Sequence, residues 1–346
     1  KSNGTAEGTA MVKRFNPGGE SFPEDLTALD GTLFFAVDDG EHGEELWKSD
    51  GTEDGTALVK DINPSGDSLK TSLVPCGAAV FFSADDGVHG EQLWKSDGTE
   101  AGTVMVKQVV DWAGTFPGPL SELTVVKGTL FFGVYDGAHG RELWKSDGTE
   151  AGTMMVKDID TRFPPHFFQG NGDPSYLTDA NGTLFFSAND GVHGYEPWKS
   201  DGTEEGTVLV KDIRMAAGSN PDRFFYLNGA TYFVASDGVT GYELWRTDGT
   251  EEGTVLVCDI DPAPDGNSSP SGLTMFNGLL LFSASQGDIK RGLWALNVPP
   301  VVDGIALARP GPIGVQGDFV VRFSEEVTGL DPSDFVVLAN GPEGAS

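Results

Sequence analysis

The sequence predicts an all-β fold: a six-bladed β-propeller over residues 1–298, with ring closure by the N-terminal strand, followed over 299–346 by part of a β-sandwich. Three observations predict it. Tryptophans at 47, 94, 144, 198, 245 and 294 stand 47 to 54 residues apart, a period that belongs to propeller blades or solenoid turns. Each unit carries four strand signals separated by glycine turns. No apolar pattern of period 3.6 runs for a useful length, which disfavours helical solenoids.

One unit, from Leu26, reads LTALDGTLFFAVDDGEHGEELWKSDGTEDGTALVKDI. LTALD is tied by a tight Gly turn to the apolar run TLFFAV, and EELWKS and TALVKD follow, with DDGEHG and DGTEDG as connections. An apolar run such as TLFFSA at 183–188 suits a strand sandwiched on both faces between neighbouring blades. Lys13, Lys60, Lys107, Lys157 and Lys211 recur in the last strand, as expected of an outermost edge guarded by charge. The GTxxVK strands begin at Gly8, Gly55, Gly102, Gly152, Gly206 and Gly253. The first has no preceding Trp strand and the last Trp strand has no following GTxxVK strand, so residues 8–15 are expected to complete the sixth blade. A solenoid would instead need polar capping repeats.

The repeated ELWKSDGTEAGT resembles the signature of the bacterial ELWxxDGT repeat family, whose members are large exported proteins without an established activity. The pattern holds in five units, with Pro197 replacing Leu in the fourth, and departs to GLWALN in the sixth. Beyond Pro299-Pro300 the repeat ends. GDFVVRFSEEVTGLDPSDFVVLANG at 317–341 resembles the start of a bacterial immunoglobulin-like domain and alternates apolar with polar residues as sandwich strands do. At 48 residues the segment is about half the usual size of such a domain, so the natural protein is expected to continue. The lack of an initiator Met or signal-peptide pattern predicts a mature form or a piece of a longer chain.

Composition narrows the function. With 53 Asp and Glu against 22 Lys and Arg, the net charge is −31, which repels nucleic acid and anionic membrane surfaces. No apolar run approaches the roughly 20 residues that span a bilayer, so direct membrane insertion is not expected. The regular glycines argue against a disordered acidic chain. Cys76 and Cys258 are too few for a disulfide framework and read as buried free thiols.

The repeat motif itself reads as architecture. Asp-Gly supplies a tight turn in which Asp50, Asp97, Asp147, Asp201 and Asp248 accept backbone N–H bonds two residues on. Trp47, Trp94, Trp144, Trp198, Trp245 and Trp294 fill the gaps between blades, each indole N–H finding a carbonyl. Sheets about 10 Å apart cannot share a small ion among equivalent carboxylates. The same separation stands against zinc on His42, His89, His139 and His193, which read as satisfying their own turns. Calcium is the metal that single loops could hold, through Asp259, Asp261, Asp265 and Asn267, or through Asp61, Asn63 and Asp67, although neither loop has the strict DxDxDG spacing.

Function is expected where the repeat breaks. The loops at 160–175 and 110–119 carry Phe163, His166, Phe167 and Phe168, and Trp112 and Phe116, residues suited to gripping sugar rings or a protein partner, or to a satellite core. No GxSxG, Walker, Rossmann or HExxH pattern is present, so the chain is expected not to be an enzyme. These features together predict a secreted or cell-surface structural or adhesive protein with a propeller binding surface. Its expected partners are other extracellular proteins or glycans, or further copies of itself. The alternative is a carbohydrate-binding or carbohydrate-active propeller.

Overall fold

A computed structural model describes residues 1–70, 73–109, 120–162, 171–215, 217–263, 266–298, 302–307 and 319–323. Every regular element among them is a β-strand. The first sheet contains β1 (Glu24–Leu29), β2 (Thr32–Asp38), β3 (Glu44–Ser49) and β4 (Ala57–Lys60). The second contains β5 (Val74–Cys76), β6 (Ala79–Asp85), β7 (Glu91–Ser96) and β8 (Val104–Lys107). The third contains β9 (Ser121–Val126), β10 (Thr129–Tyr135), β11 (Arg141–Ser146) and β12 (Met154–Lys157). The fourth contains β13 (Ser175–Ala180), β14 (Thr183–Asn189), β15 (Tyr195–Ser200) and β16 (Val208–Leu209). The fifth contains β17 (Asp222–Leu227), β18 (Ala230–Ser236), β19 (Tyr242–Thr247) and β20 (Val255–Cys258). The sixth has three strands, β21 (Ser271–Phe276), β22 (Leu279–Gln286) and β23 (Ile289–Asn297). Separately, β24 (Val302–Leu307) pairs antiparallel with β25 (Phe319–Phe323).

Each of the first five sheets is an antiparallel meander in chain order. Their first strands lie side by side in succession, so the sheets stack face to face in a propeller-like series. The two central aromatic residues of the second strand in each of the first five sheets explain the stacking, because neighbouring strand residues point to opposite faces. Phe34 packs forward, with Leu46, against Val80, Phe82 and Trp94 of the second sheet. Phe81 and Leu93 repeat this against Phe132 and Trp144, and Phe131 and Leu143 against Phe186 and Trp198. Each tryptophan therefore faces back into the gap behind its own sheet. The indole N–H groups of Trp47, Trp94, Trp144, Trp198 and Trp245 are buried without a hydrogen-bond partner. Of the six repeat tryptophans, Trp294 alone bonds a carbonyl, that of Ala284 at 3.1 Å.

The repeated lysines differ from the expectation of a solvated guard. Nζ of Lys13, Lys60, Lys107, Lys157 and Lys211 donates to the carbonyl of Thr56, Thr103, Thr153, Thr207 and Thr254 in the next sheet, at 2.7–3.0 Å. Lys13, Lys60 and Lys107 also lie 5.8 Å from the rings of Trp47, Trp94 and Trp144. A second series from the third strands, Lys48, Lys95, Lys145 and Lys199, donates to Gly98, Gly148, Gly202 and Gly249 in the following turns at 2.6–2.7 Å. Charge-assisted bonds to backbone carbonyls thus tie each of the first four sheets to its successor. Where the sixth sheet offers no Asp-Gly-Thr turn, the fifth carries Cys258 in place of the lysine. Cys258 is exposed and Cys76 half-buried, so neither is the fully buried thiol expected.

Residues 8–15 form no strand, and the sixth sheet has no fourth member among the described residues. Ala10 instead exchanges backbone bonds with Lys1, at 2.7 and 2.9 Å. Residues 1–13 reproduce the hairpin end of a sheet: Lys1 Nζ reaches Gly51 O at 3.3 Å, and Phe15 packs on Phe35 and Trp47. An apolar hollow of about 560 Å³ stays open beside them, lined by Phe15, Leu26, Ala28, Leu33 and Phe35.

The inter-sheet lysine bonds predict a measurable stability loss. Lys107→Met keeps most of the apolar stem and removes the charge-assisted bond, and should cost about 1.5–3 kcal/mol in denaturant unfolding. The control Lys290→Met, on an exposed lysine, should cost little. Equal losses would contradict the role assigned to the repeated lysines.

Candidate functional site

The Asp-Gly-Thr turns are self-contained. Asp50 Oδ1 accepts from Thr52 N at 2.8 Å and Thr52 Oγ1 at 2.7 Å, and Asp97, Asp147, Asp201 and Asp248 do the same with Thr99, Thr149, Thr203 and Thr250. The threonine hydroxyls hold these carboxyls below their ordinary range. Buried hydroxyl pairs such as Ser146 with Thr153, at 2.7 Å, close each turn. Asn3, with Thr5, repeats the arrangement at the N-terminus. The histidines also stay within their turns. Nδ1 of His42, His89, His139 and His193 meets the carboxylate of Asp39, Asp86, Asp136 and Asp190 at 2.7–2.8 Å.

Three of the expected calcium donors hold hydrogen-bond partners within the protein. Asp67 accepts from Glu44 N at 2.8 Å, Asn63 Oδ1 from Ser65 N at 3.1 Å, and Asn267 Oδ1 from the Ser269 hydroxyl at 2.7 Å. Asp61 leaves one buried oxygen without a partner. Asp259 is exposed and Asp261 half-buried, while Asp265 lies outside the described residues. No three His, Cys, Asp or Glu among the described residues are grouped to hold a metal ion. Trp112, Phe116, Phe163, His166, Phe167 and Phe168 likewise lie outside the described residues.

A different site emerges from the start of the third strand. Glu45, Glu142, Glu196 and Glu243 are wholly buried. Each accepts backbone bonds from the crossover that follows its sheet: Glu142 from Ile159 N at 2.9 Å and Gly172 N at 2.7 Å, and Glu196 from Ile213 N, Arg214 N and Ser219 N at 2.8–3.2 Å. In the second sheet Gln92 takes the place, accepting from Val109 N at 2.9 Å. The residue immediately before this anchor points to the opposite face, and it is where the repeat diverges: Glu44, Glu91, Arg141, Tyr195, Tyr242 and Arg291.

Arg141, Tyr195 and Tyr242 converge on an open cleft of about 500 Å³, which Glu122, Asp173, Tyr176 and Asp222 also line. The first strands supply part of this wall through bulges. β1, β9, β13, β17 and β21 each carry one extra residue against the second strand. The bulges set Asp25, Glu122, Tyr176 and Arg223 at φ of 54–62° and Gly272 at 67°, the left-handed region that side chains enter at a cost. Within the cleft the Tyr195 hydroxyl donates to Asp173 Oδ2 at 3.0 Å. Burial, followed by the Asp173 charge, pushes the Tyr195 pKa up to about 12. Arg223 pairs with Asp222 at 2.8 Å, and Glu122 accepts from Leu177 N at 3.2 Å. Gly133 makes room for the guanidinium, since a Cβ there would meet Arg141 Nε at 3.3 Å. Aromatic faces, phenolic hydroxyls, carboxylates and a guanidinium suit the orientation of a small polar ligand.

No family model matches the chain and no curated protein matches it. Solved structures that it resembles include a prolyl endopeptidase, at 13% identity and a TM-score of 0.46 over 77% of this chain and 40% of that one. A puromycin hydrolase gives 12% and 0.37 over 83% and 54%. Oligopeptidase B from Leishmania major gives 12% and 0.44 over 79% and 40%. The chain thus spans about half or less of each of them. Peptidases and a hydrolase as neighbours overturn the expectation that this chain is not an enzyme, and that exclusion is withdrawn. At this identity the likeness assigns no reaction to the chain. Among the described residues no helix is long and apolar enough to cross a membrane.

The buried anchor beside the cleft titrates in a predictable direction. Burial raises the Glu142 carboxyl from its ordinary 4.5 to about 8. Its contribution to stability is therefore fully present below the ordinary value and is lost as pH rises through the folded value. Glu142→Gln removes the titration, so the variant's melting temperature should gain on the wild type's between pH 5 and pH 9. Parallel curves over that range would contradict the assignment.

Proposed function

We propose that the protein is a propeller-type binding module of the ELWxxDGT class, secreted or held at the cell surface. In this reading it grips a small polar ligand, or the exposed end of a larger partner, in the cleft of Arg141, Tyr195 and Tyr242. One observation carries the proposal. The position where the repeats diverge follows an Asp-Gly loop that the first five sheets hold similarly, and three neighbouring sheets turn that position toward one cleft. A carbohydrate is the second reading. Tyrosine rings favour it, since they stack on sugar faces while carboxylates accept from hydroxyls.

The fold completes the proposal as a closed ring of six blades, in which residues 8–15 add to β23 as β4 adds to β3. Unmet repeat contacts support closure. Leu293 is 79% exposed, whereas its counterparts Leu46, Leu93, Leu143 and Leu244 are 0–1% exposed. A Cβ at Gly98, Gly148, Gly202 or Gly249 would meet a phenylalanine ring of the preceding sheet at 2.9–3.4 Å, and among the described residues nothing lies within 4 Å of that position at Gly51. Leu281 occupies the corresponding place on the sixth sheet. Closure exchanges the Lys1–Ala10 pairing for one between Ala10 and Ala295, by analogy with Ala57 and Lys48.

Two measurements test these statements. In a chain with Cys76→Ser and Cys258→Ser, the pair Ala10→Cys and Ala295→Cys should oxidise within single chains, seen as a faster band on a non-reducing gel. A ladder of linked chains, or no disulfide at all, would count against the ring. On an array of glycans and peptides, Tyr195→Ala with Tyr242→Ala should abolish binding while leaving the melting temperature within a few degrees. Undiminished binding would move the site elsewhere.

A further inference from the structure

We infer that the cleft selects ligands bearing a protonated amine, carried on a scaffold of sugar or dipeptide size; this deepens the binding proposal and rests on it. The lining supplies three carboxylates, Glu122, Asp173 and Asp222, against the single guanidinium of Arg141. Arg223, from beside the cleft, neutralises Asp222. Among the described residues, Glu122 accepts from Leu177 N and Asp173 from the Tyr195 hydroxyl. A carboxylate has about four lone-pair sites, so each retains capacity toward the cleft after those bonds. The tyrosine faces add a second attraction for a cation, through the ring quadrupole.

The long-range field has the same sign. A net charge of −31 concentrates cations near the surface and disfavours phosphate, sulfate or carboxylate ligands. An organic cation fits better than a metal ion, because no three metal-ligating side chains among the described residues are grouped closely enough. The open volume of about 500 Å³ lies within the range of small-molecule sites and exceeds what a bare ammonium ion fills. The hydroxyls of Tyr176 and Tyr242, which line the same cleft, then orient the polar groups that flank the amine.

Titration calorimetry tests the inference with a glucosamine tetrasaccharide and a short lysine peptide, each compared with its N-acetylated form. Acetylation removes the charge and keeps the scaffold. At least one amine probe should bind about tenfold or more tighter than its acetylated form, with an affinity that falls as salt is raised. Which probe binds identifies the source of the amine. Asp173→Asn and Glu122→Gln should each weaken the amine form by a clearly larger factor than the acetylated form; Asn tolerates the left-handed backbone at position 173, where φ is 42°. Exposed Asp54→Asn is the control for diffuse attraction by the whole chain. Equal binding of both forms overturns the amine inference and leaves a neutral-ligand cleft standing. Binding that ignores Asp173→Asn and Glu122→Gln overturns it as non-specific charge attraction. If the array also finds no ligand that depends on Tyr195 and Tyr242, the binding proposal itself fails.

Discussion

Each of the first five sheets is apolar on both faces, and the rest of the structure follows from that constraint. A strand with adjacent inward phenylalanines, such as Phe81 and Phe82, must be covered front and back, because leaving either ring in water forfeits about 1.5–3 kcal/mol. One sheet cannot meet that requirement alone, and two leave their outer faces bare. A series of sheets meets it everywhere except at its ends. The tryptophan behind each sheet and the lysines reaching forward set the spacing and register of the stack. The unpartnered indole nitrogens show which demand dominates: filling the gap between sheets prevails over satisfying a single N–H.

The same constraint couples architecture to chemistry. A buried glutamate gathers the backbone N–H groups of the crossover that leads to the next sheet, so one carboxyl group fixes both the third strand and the loop that follows its sheet. Period-two alternation turns its neighbour outward to the cleft. The anchor can thus stay constant while the adjacent residue changes from Glu to Arg to Tyr without altering the fold. Gln92 marks how far the anchor can vary: its amide oxygen still accepts a crossover N–H and its amide nitrogen donates to the His89 carbonyl at 2.9 Å.

Much of the fold was legible in the sequence. The tryptophan period, the four strand signals and the Asp-Gly turns are local, and they appear as six successive antiparallel sheets with strand ends close to those read from the glycines. The role of the repeated lysines was not legible, because a lysine guarding an edge and one reaching a neighbouring carbonyl have the same spacing. Nor was the state of the N-terminus. GTAMVK at 8–13 matches a fourth strand by pattern, but pairing needs a partner, and Lys1 holds Ala10 instead. The cleft was hidden for a related reason. Attention to loops that break the repeat passed over a single divergent position inside its most regular segment, where Arg141, Tyr195 and Tyr242 each precede a glutamate. Comparing the units column by column would have exposed it.

Backbone strain gives the cleft its remaining character. Glu122 and Tyr176 line it from left-handed bulge positions, each costing about 1–3 kcal/mol relative to relaxed backbone. A glycine would relieve that cost, as Gly272 does in the sixth sheet, yet four of the five bulges carry a side chain. The bulge also bends the first strand and re-aims the residue after it. A large, doubly covered core can absorb several such penalties, whereas a single exposed sheet could not. The repeated scaffold therefore supplies the stability that lets non-repeating side chains be held in strained positions around one cleft.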